Sequence, residues 1–253
     1  MATAMRRNSQ MSAAEWEARQ ELAACYRVFA MLGWDEMIYN HITVKVPDEE
    51  GAFLINPFGL HFSEVKASSL VKIDIDGNKL DDNSYPVNLA GFVQHSVFHK
   101  YLPDAHCIAH THTTAGMAVS SLEGGLRPVN FYAANWTGQL AYHDFEGVTV
   151  RSEEGERLVK NLGDKRAMLL KNHGILVMGR TIPEAFIKHW SIQRACEIQM
   201  ATLGMGTPLE ISPEVIAVHQ RDIGKAQVPG GPGKADFDAM VRRVDKIDTS
   251  WRE

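Results

Sequence analysis

Cysteine is scarce in this chain: Cys25, Cys107 and Cys196 are odd in number, far apart and without a Cys-x-x-Cys pair. A disulfide framework is therefore excluded as the expected source of stability, and a reducing compartment, the cytoplasm, is the expected location. Long apolar runs are missing as well, since no stretch approaches the ~20 residues that a membrane-spanning helix needs. Nor is there a block of like charge. With 26 Lys and Arg against 31 Asp and Glu, the net charge of -5 leaves no basic footprint for nucleic acid and no charged tail. Arg6-Arg7 runs into Asn8-Ser9-Gln10, polar residues where a secretory signal carries its apolar core. The expected partner is a small-molecule substrate, with neither nucleic acid nor membrane involved.

What remains is an ordinary globular composition, 45% hydrophobic and 23% charged over 253 residues, enough for a substantial core. Residues 1–11 are expected to be disordered. From Ser12, which with Glu15 forms a capping-box pattern, Leu22, Phe29 and Leu32 recur at helical spacing up to Gly33. The period then switches to two through Ile42, Val44 and Val46, the mark of a half-buried strand. Asp76-Gly77 predicts a hairpin after a strand over 70–75. A helix is predicted from Asn88 to Tyr101, and another from Thr181 to a terminating Gly204. Residues 129–150 give no clear period. Interleaved helices and strands over one length of chain predict a single α/β domain over 12–224, followed over 225–253 by a linker and a C-terminal amphipathic helix.

The stretch with most chemical content is Cys107-Ile108-Ala109-His110-Thr111-His112. On a strand, residues i and i+2 share a face, so His110 and His112 would present two imidazoles to one point. A pair of this kind is commonly no more than two hydrogen-bonded strand residues. A third histidine, His173 in Lys171-Asn172-His173-Gly174, would complete a three-histidine metal site with an open coordination position, if the two segments meet.

Taken together, the run Leu102 to His112 behind a helix and the later Lys171-Asn172-His173-Gly174 resemble the class II aldolase/adducin family, over Asn40 to Gly204. The resemblance implies a class II aldolase-like three-layer α/β/α sandwich on a mixed, largely antiparallel sheet. It implies His110, His112 and His173 as ligands of a divalent ion, Zn2+ first, with Mn2+ or Fe2+ as alternatives. It also implies substrate contacts at Asn40 and at the loop Asn56-Pro57-Phe58-Gly59, through Asn56 and Gly59. Relatives of this pattern are often tetramers with the site between subunits, so a homo-oligomer is expected. Sugar-phosphate aldolases of the family carry a Ser-Ser-Glu-like run before the metal strand, for phosphate and for the base. Here that stretch reads Leu89-Ala90-Gly91, with Gly91 at the usual glutamate position. The surrounding run, Val87 to Phe92, resembles the adducin-type branch, with all three histidines kept. The lysine-rich tail through which adducins engage actin is absent, so actin binding is not expected.

A metal ion without its usual carboxylate can still act as a Lewis acid on a carbonyl. The resulting expectation is a metal-dependent carbon-carbon lyase, aldolase-like or a decarboxylase, acting through a metal-stabilised enolate on a non-phosphorylated oxo or hydroxy acid. Two other readings stay open: an oligomeric scaffold of the adducin-head type without catalysis, and an Fe(II)-dependent oxygenase on the same histidines. The catalytic base is unassigned. His95, one helical turn after Gly91, is a candidate, the family resemblance implies Tyr132 as another, from a neighbouring subunit, and Glu123, Asp144 and Glu146 are carboxylates that would substitute.

Overall fold

The computed structural model describes residues 11–148, 152–225 and 228–253. The disorder expected of residues 1–11 falls outside the described residues but for Met11, as do 226–227 of the linker and the end of the segment without clear period.

Helix α1 (Ala13–Leu32) starts at Ser12, whose hydroxyl accepts from the Glu15 N–H at 3.0 Å, and stops at Gly33 in the left-handed region, φ 70°. Strands β1 (His41–Lys45), β2 (Ala52–Ile55) and β3 (Val71–Asp74) follow, then α2 (Leu89–Tyr101), β4 (Cys107–Thr111) and α3 (Thr114–Ser120). The segment of unclear period forms a short helix α4 (Phe131–Trp136) and strand β5 (Ala141–His143). Helix α5 (Ser152–Leu162), strands β6 (Ala167–Leu170) and β7 (Gly174–Gly179), and helices α6 (Ile182–Met205), α7 (Pro213–Gly224) and α8 (Lys234–Asp245) complete the chain. Among the described residues no helix is long and apolar enough to cross a membrane.

The strands form a seven-stranded sheet in the order β3-β2-β1-β4-β7-β6-β5, antiparallel throughout except for β5 beside β6. That exception follows from connectivity, because α5 lies between β5 and β6 and a helical crossover returns the chain in the same direction. Side chains alternate across the sheet. Ile42, Val44, Cys107, Ala109, Ile175 and Val177 face a core shared with α1, α3, α6 and α8. Ile108, Leu176, Met178, Met168 and Leu170 face the other side, under Phe98 of α2 and Leu158 and Leu162 of α5. The result is the three-layer α/β/α sandwich.

Two local expectations change. Asp76-Gly77 does turn the chain, but the return is a single bridge between Ile73 and Lys79 rather than a strand: the Leu80 N–H still donates to the Lys72 carbonyl at 2.9 Å, and the Asp81 carboxylate then takes the Lys72 N–H at 3.0 Å. Helix α6 runs through Gly204 and ends at Gly206 (φ 146°), just ahead of Pro208. An interior glycine costs a helix only about 1 kcal/mol, whereas a proline two residues on prevents continuation. Beyond the linker, α8 lies on α1 and α6 with Phe237 and Val244 buried. Burying Phe237 contributes about 1.5–3 kcal/mol to holding it there.

Strand β4 occupies the middle of the sheet, flanked by β1 and β7. The β4–β7 approach is close: a Cβ on Gly174 would lie 2.2 Å from the Thr111 carbonyl oxygen. Backbone cannot swing aside as a side chain can, so Gly174→Ala is expected to cost about 3 kcal/mol or more, read as a lowered urea midpoint.

Candidate metal centre

His110 is the penultimate residue of β4, and His112 follows the strand, before Thr113 caps α3 by accepting from the Gly116 N–H at 3.2 Å. Their rings share the face of the sheet that carries α2, as the period of two requires. Thr111, pointing to the opposite face, is held there by His189 Nε2 at 2.7 Å. His173 arrives from the β6–β7 connection, the three-residue turn Lys171-Asn172-His173. Asn172 takes φ 57° in that turn, a left-handed conformation that asparagine tolerates.

Antiparallel pairing of β4 with β7 sets Thr111 opposite Ile175 and so brings the turn beside the His-x-His pair. The Nε2 atoms of the three rings converge, 2.8 Å between His110 and His112, 3.0 Å between His112 and His173, and 3.3 Å between His110 and His173. His110 Nδ1 lies 3.0 Å from the Ile175 carbonyl oxygen, which can only accept, so the ring proton sits on Nδ1 and Nε2 carries a lone pair. His112 Nδ1 is 2.8 Å from Glu36 Oε2, which fixes the same tautomer. Lone pairs aimed at one point this closely repel unless a cation lies between them. The triangle is small enough that an ion at the ~2.0–2.1 Å of a metal–imidazole bond reaches all three corners from one side, leaving its outward face for substrate. This donor set fits a divalent ion, and among the described residues it is the group of histidine, cysteine or carboxylate side chains that could hold one.

Electrostatics agree with that fit. Burial, then the neighbouring His173 and His112, holds His110 well below the ordinary histidine range. Burial lowers His173 to about 4, with His112 adding to it, and lowers His112 against the opposing pull of Glu36. All three rings are thus neutral near pH 7, the form that binds metal.

The outer partners were not all visible in the sequence. Glu36, in the loop after α1, had no motif to single it out, yet it orients His112 from behind. Glu36→Ala is expected to weaken zinc binding about 10–100-fold, measured by competition with a chelating dye, while leaving the fold intact. Asn40, expected to contact substrate, is buried and engaged: its oxygen accepts from the His112 N–H at 3.1 Å and its amide donates to the Trp34 carbonyl at 3.1 Å. Asn56 is 0% exposed, with its oxygen accepting from the Tyr26 hydroxyl at 3.0 Å, so its side chain lies beneath the surface. Gly59, at φ 100°, is exposed on the same loop.

Neither base candidate reaches the triad within this chain. His95 is fully buried with both ring nitrogens taken, Nε2 by His41 and Nδ1 by Thr43. Its helical face does point toward β1, but His41 stands in between. Tyr132 stacks edge-on against Trp190, centroids 5.2 Å apart, in the α4–α6 contact. The carboxylates are elsewhere or occupied: Glu123 is exposed, Asp144 pairs with Lys171 at 2.6 Å, and Glu146 pairs with Arg157.

The comparisons with known proteins fit this geometry. The family model described as Class II Aldolase and Adducin N-terminal domain matches residues 20–200. Alpha-adducin of Rattus norvegicus is 41% identical over 246 residues, 90% of this chain and 33% of that protein. An aldolase II superfamily protein from Pseudomonas syringae superposes with a TM-score of 0.90 at 39% identity, covering 96% of this chain and 98% of that one. L-fuculose 1-phosphate aldolase from Glaciozyma antarctica PI12 does so with 0.81 at 26% identity, covering 95% and 94%. With the seven-stranded mixed sheet, the histidine triad and a family match across most of its length, the chain belongs to the class II aldolase and adducin N-terminal domain family.

Proposed function

We propose that this protein is a metal-dependent carbon-carbon lyase that acts on a non-phosphorylated oxo or hydroxy acid. The observation that carries the reading is the convergence of three neutral imidazole Nε2 atoms beside a helix start, Leu89-Ala90-Gly91, that offers neither hydroxyl nor carboxylate. A divalent ion held by His110, His112 and His173 supplies Lewis-acid polarisation of a substrate carbonyl, the charge stabilisation that carbon-carbon cleavage needs. The chain's own residues do the rest. Glu36 and the Ile175 carbonyl orient the rings, and Asn40 fixes the His112 backbone.

The surroundings favour an uncharged or apolar substrate tail over a phosphate. Phe145 is exposed with its ring centroid 6.1 Å from that of His173, and Tyr39, next to Asn40, and Leu89, two residues before Gly91, are exposed too. Lys171, which flanks His173, is already paired with Asp144. The likeness to a sugar-phosphate aldolase makes phosphorylated sugars the competing substrate class. Zinc- or manganese-loaded protein assayed against β-keto acids, hydroxy acids and sugar phosphates decides between them: turnover of sugar phosphates alone overturns the reading. Stoichiometric iron with oxygen uptake would mark an oxygenase instead. Absence of any metal after chelator-free purification would favour a scaffold, the reading that likeness to alpha-adducin supports. We further infer a homo-oligomer, because Phe131, Met205, Leu209, Val215 and Val218 leave apolar surface exposed around α4 and α7. Light scattering checks it.

A further inference from the structure

Behind the triad runs a chain of hydrogen bonds that the reading above does not use. His99 Nδ1 lies 3.0 Å from the Ala105 carbonyl oxygen, His99 Nε2 2.7 Å from Thr43 Oγ1, Thr43 Oγ1 2.8 Å from His95 Nδ1, and His95 Nε2 3.0 Å from His41 Nδ1. All four side chains are buried, and burial keeps the imidazoles neutral. The order of donors is then forced, since a carbonyl can only accept. His99 donates to Ala105 and accepts from the Thr43 hydroxyl. Thr43 accepts from His95, which in turn accepts from His41 Nδ1–H. The free end of the chain is His41 Nε2, which must carry a lone pair. It has no hydrogen-bond partner among the described residues and is not one of the sealed, unsatisfied atoms, in keeping with the 4% exposure of His41.

The position of that lone pair is informative. His41 pairs with His110 in the β1–β4 ladder, and the two ring centroids are 5.1 Å apart. Its ring also lies over Gly91: a Cβ there would come 2.7 Å from His41 Cγ and 2.8 Å from Cδ2. A side chain at position 91 and the His41 ring therefore exclude each other. His41 is outside the cluster that could hold the ion, so it is not a fourth ligand.

We propose that His41 Nε2 accepts the hydrogen bond of a substrate hydroxyl beside the histidine triad, the His41 ring itself lying where a side chain at position 91 would otherwise go. The His99–Thr43–His95 chain fixes its tautomer, and the ligand class is a hydroxy acid or hydroxy ketone whose hydroxyl is the donor. The proposal rests on the metal-dependent reading. Its test is binding rather than turnover: cobalt-loaded protein is titrated with glycolate and with acetate, followed by the visible absorption of the ion. Wild type prefers glycolate, and His41→Leu lowers that preference about tenfold while cobalt affinity holds. His41→Gln, which keeps an acceptor oxygen, restores part of it. An unchanged preference in cobalt-loaded His41→Leu overturns this assignment alone, as does no preference in wild type. If the wild-type chain takes up no cobalt, the metal-dependent reading falls and this assignment falls with it.

Discussion

Replacing His110 by alanine is expected to abolish stoichiometric metal binding, because the ion loses the ligand whose geometry is most tightly set. His110 is 1% exposed, its tautomer is fixed by the Ile175 carbonyl, and its Nε2 lies within 3.3 Å of both partner nitrogens. Two imidazoles on a strand end and a turn make a far weaker chelate than three. The measurement is elemental analysis of wild type and variant after zinc loading, with a thermal scan of each. Zinc at a thousandfold excess over its dissociation constant adds about 4 kcal/mol to wild-type stability through mass action. The variant should gain none of it. Removing the buried His110 ring and its hydrogen bond to the Ile175 carbonyl also lowers the baseline by about 1–3 kcal/mol, so the informative quantity is the zinc-dependent shift, not the absolute midpoint. An equal shift in both proteins would show that the ion sits elsewhere.

Acid is expected to unfold the protein well above the range where carboxylates titrate. His99 and His189 are buried, and burial lowers each to about 3. In the unfolded chain each takes a proton near pH 6.5, so the folded state binds fewer protons below that point. The stability that these rings contribute is complete above pH 6.5 and is lost as pH falls toward 3. At about 1.4 kcal/mol per group per pH unit, the two together remove about 5 kcal/mol between pH 6.5 and 4.5. Urea midpoints at pH 7, 5.5 and 4.5 measure the slope, to which the other buried histidines add, and His99→Gln should remove that ring's share of about 1.4 kcal/mol per pH unit. A midpoint that stays level from pH 7 to pH 5 would contradict the assignment.

How far these features could be read in advance depended on the distance over which each is determined. The His110/His112 pair was legible because a strand's period of two is local. The third ligand was not placed by spacing, since its convergence depends on the register that sets Thr111 opposite Ile175. His173 stood out as a candidate in its own segment, and the family resemblance implied its convergence with the pair, as it did the layered architecture. Helix α1 announced its start through Ser12 and its end through Gly33, whereas α4 and β5 had too few residues to show a period. Asn40 and Asn56 carried no local sign that they would turn inward. The chain ending at His41 had a signal that went unused: His41 and Thr43 share a strand face, and His95 and His99 share a helix face. Only the packing of α2 on β1 turns those two pairs into one line.

The wide separation of the triad in sequence has a bearing on how the protein comes into being. His110 and His173 are 63 residues apart and meet only through the five-pair β4–β7 ladder. Helices form from neighbours within microseconds, but a ladder that closes so long a loop comes late. A newly made chain therefore has most of its helices before it has a chelate. An ion held by the triad would therefore join a fold already largely built, and before that the chain would offer it only the weaker pair of His110 and His112.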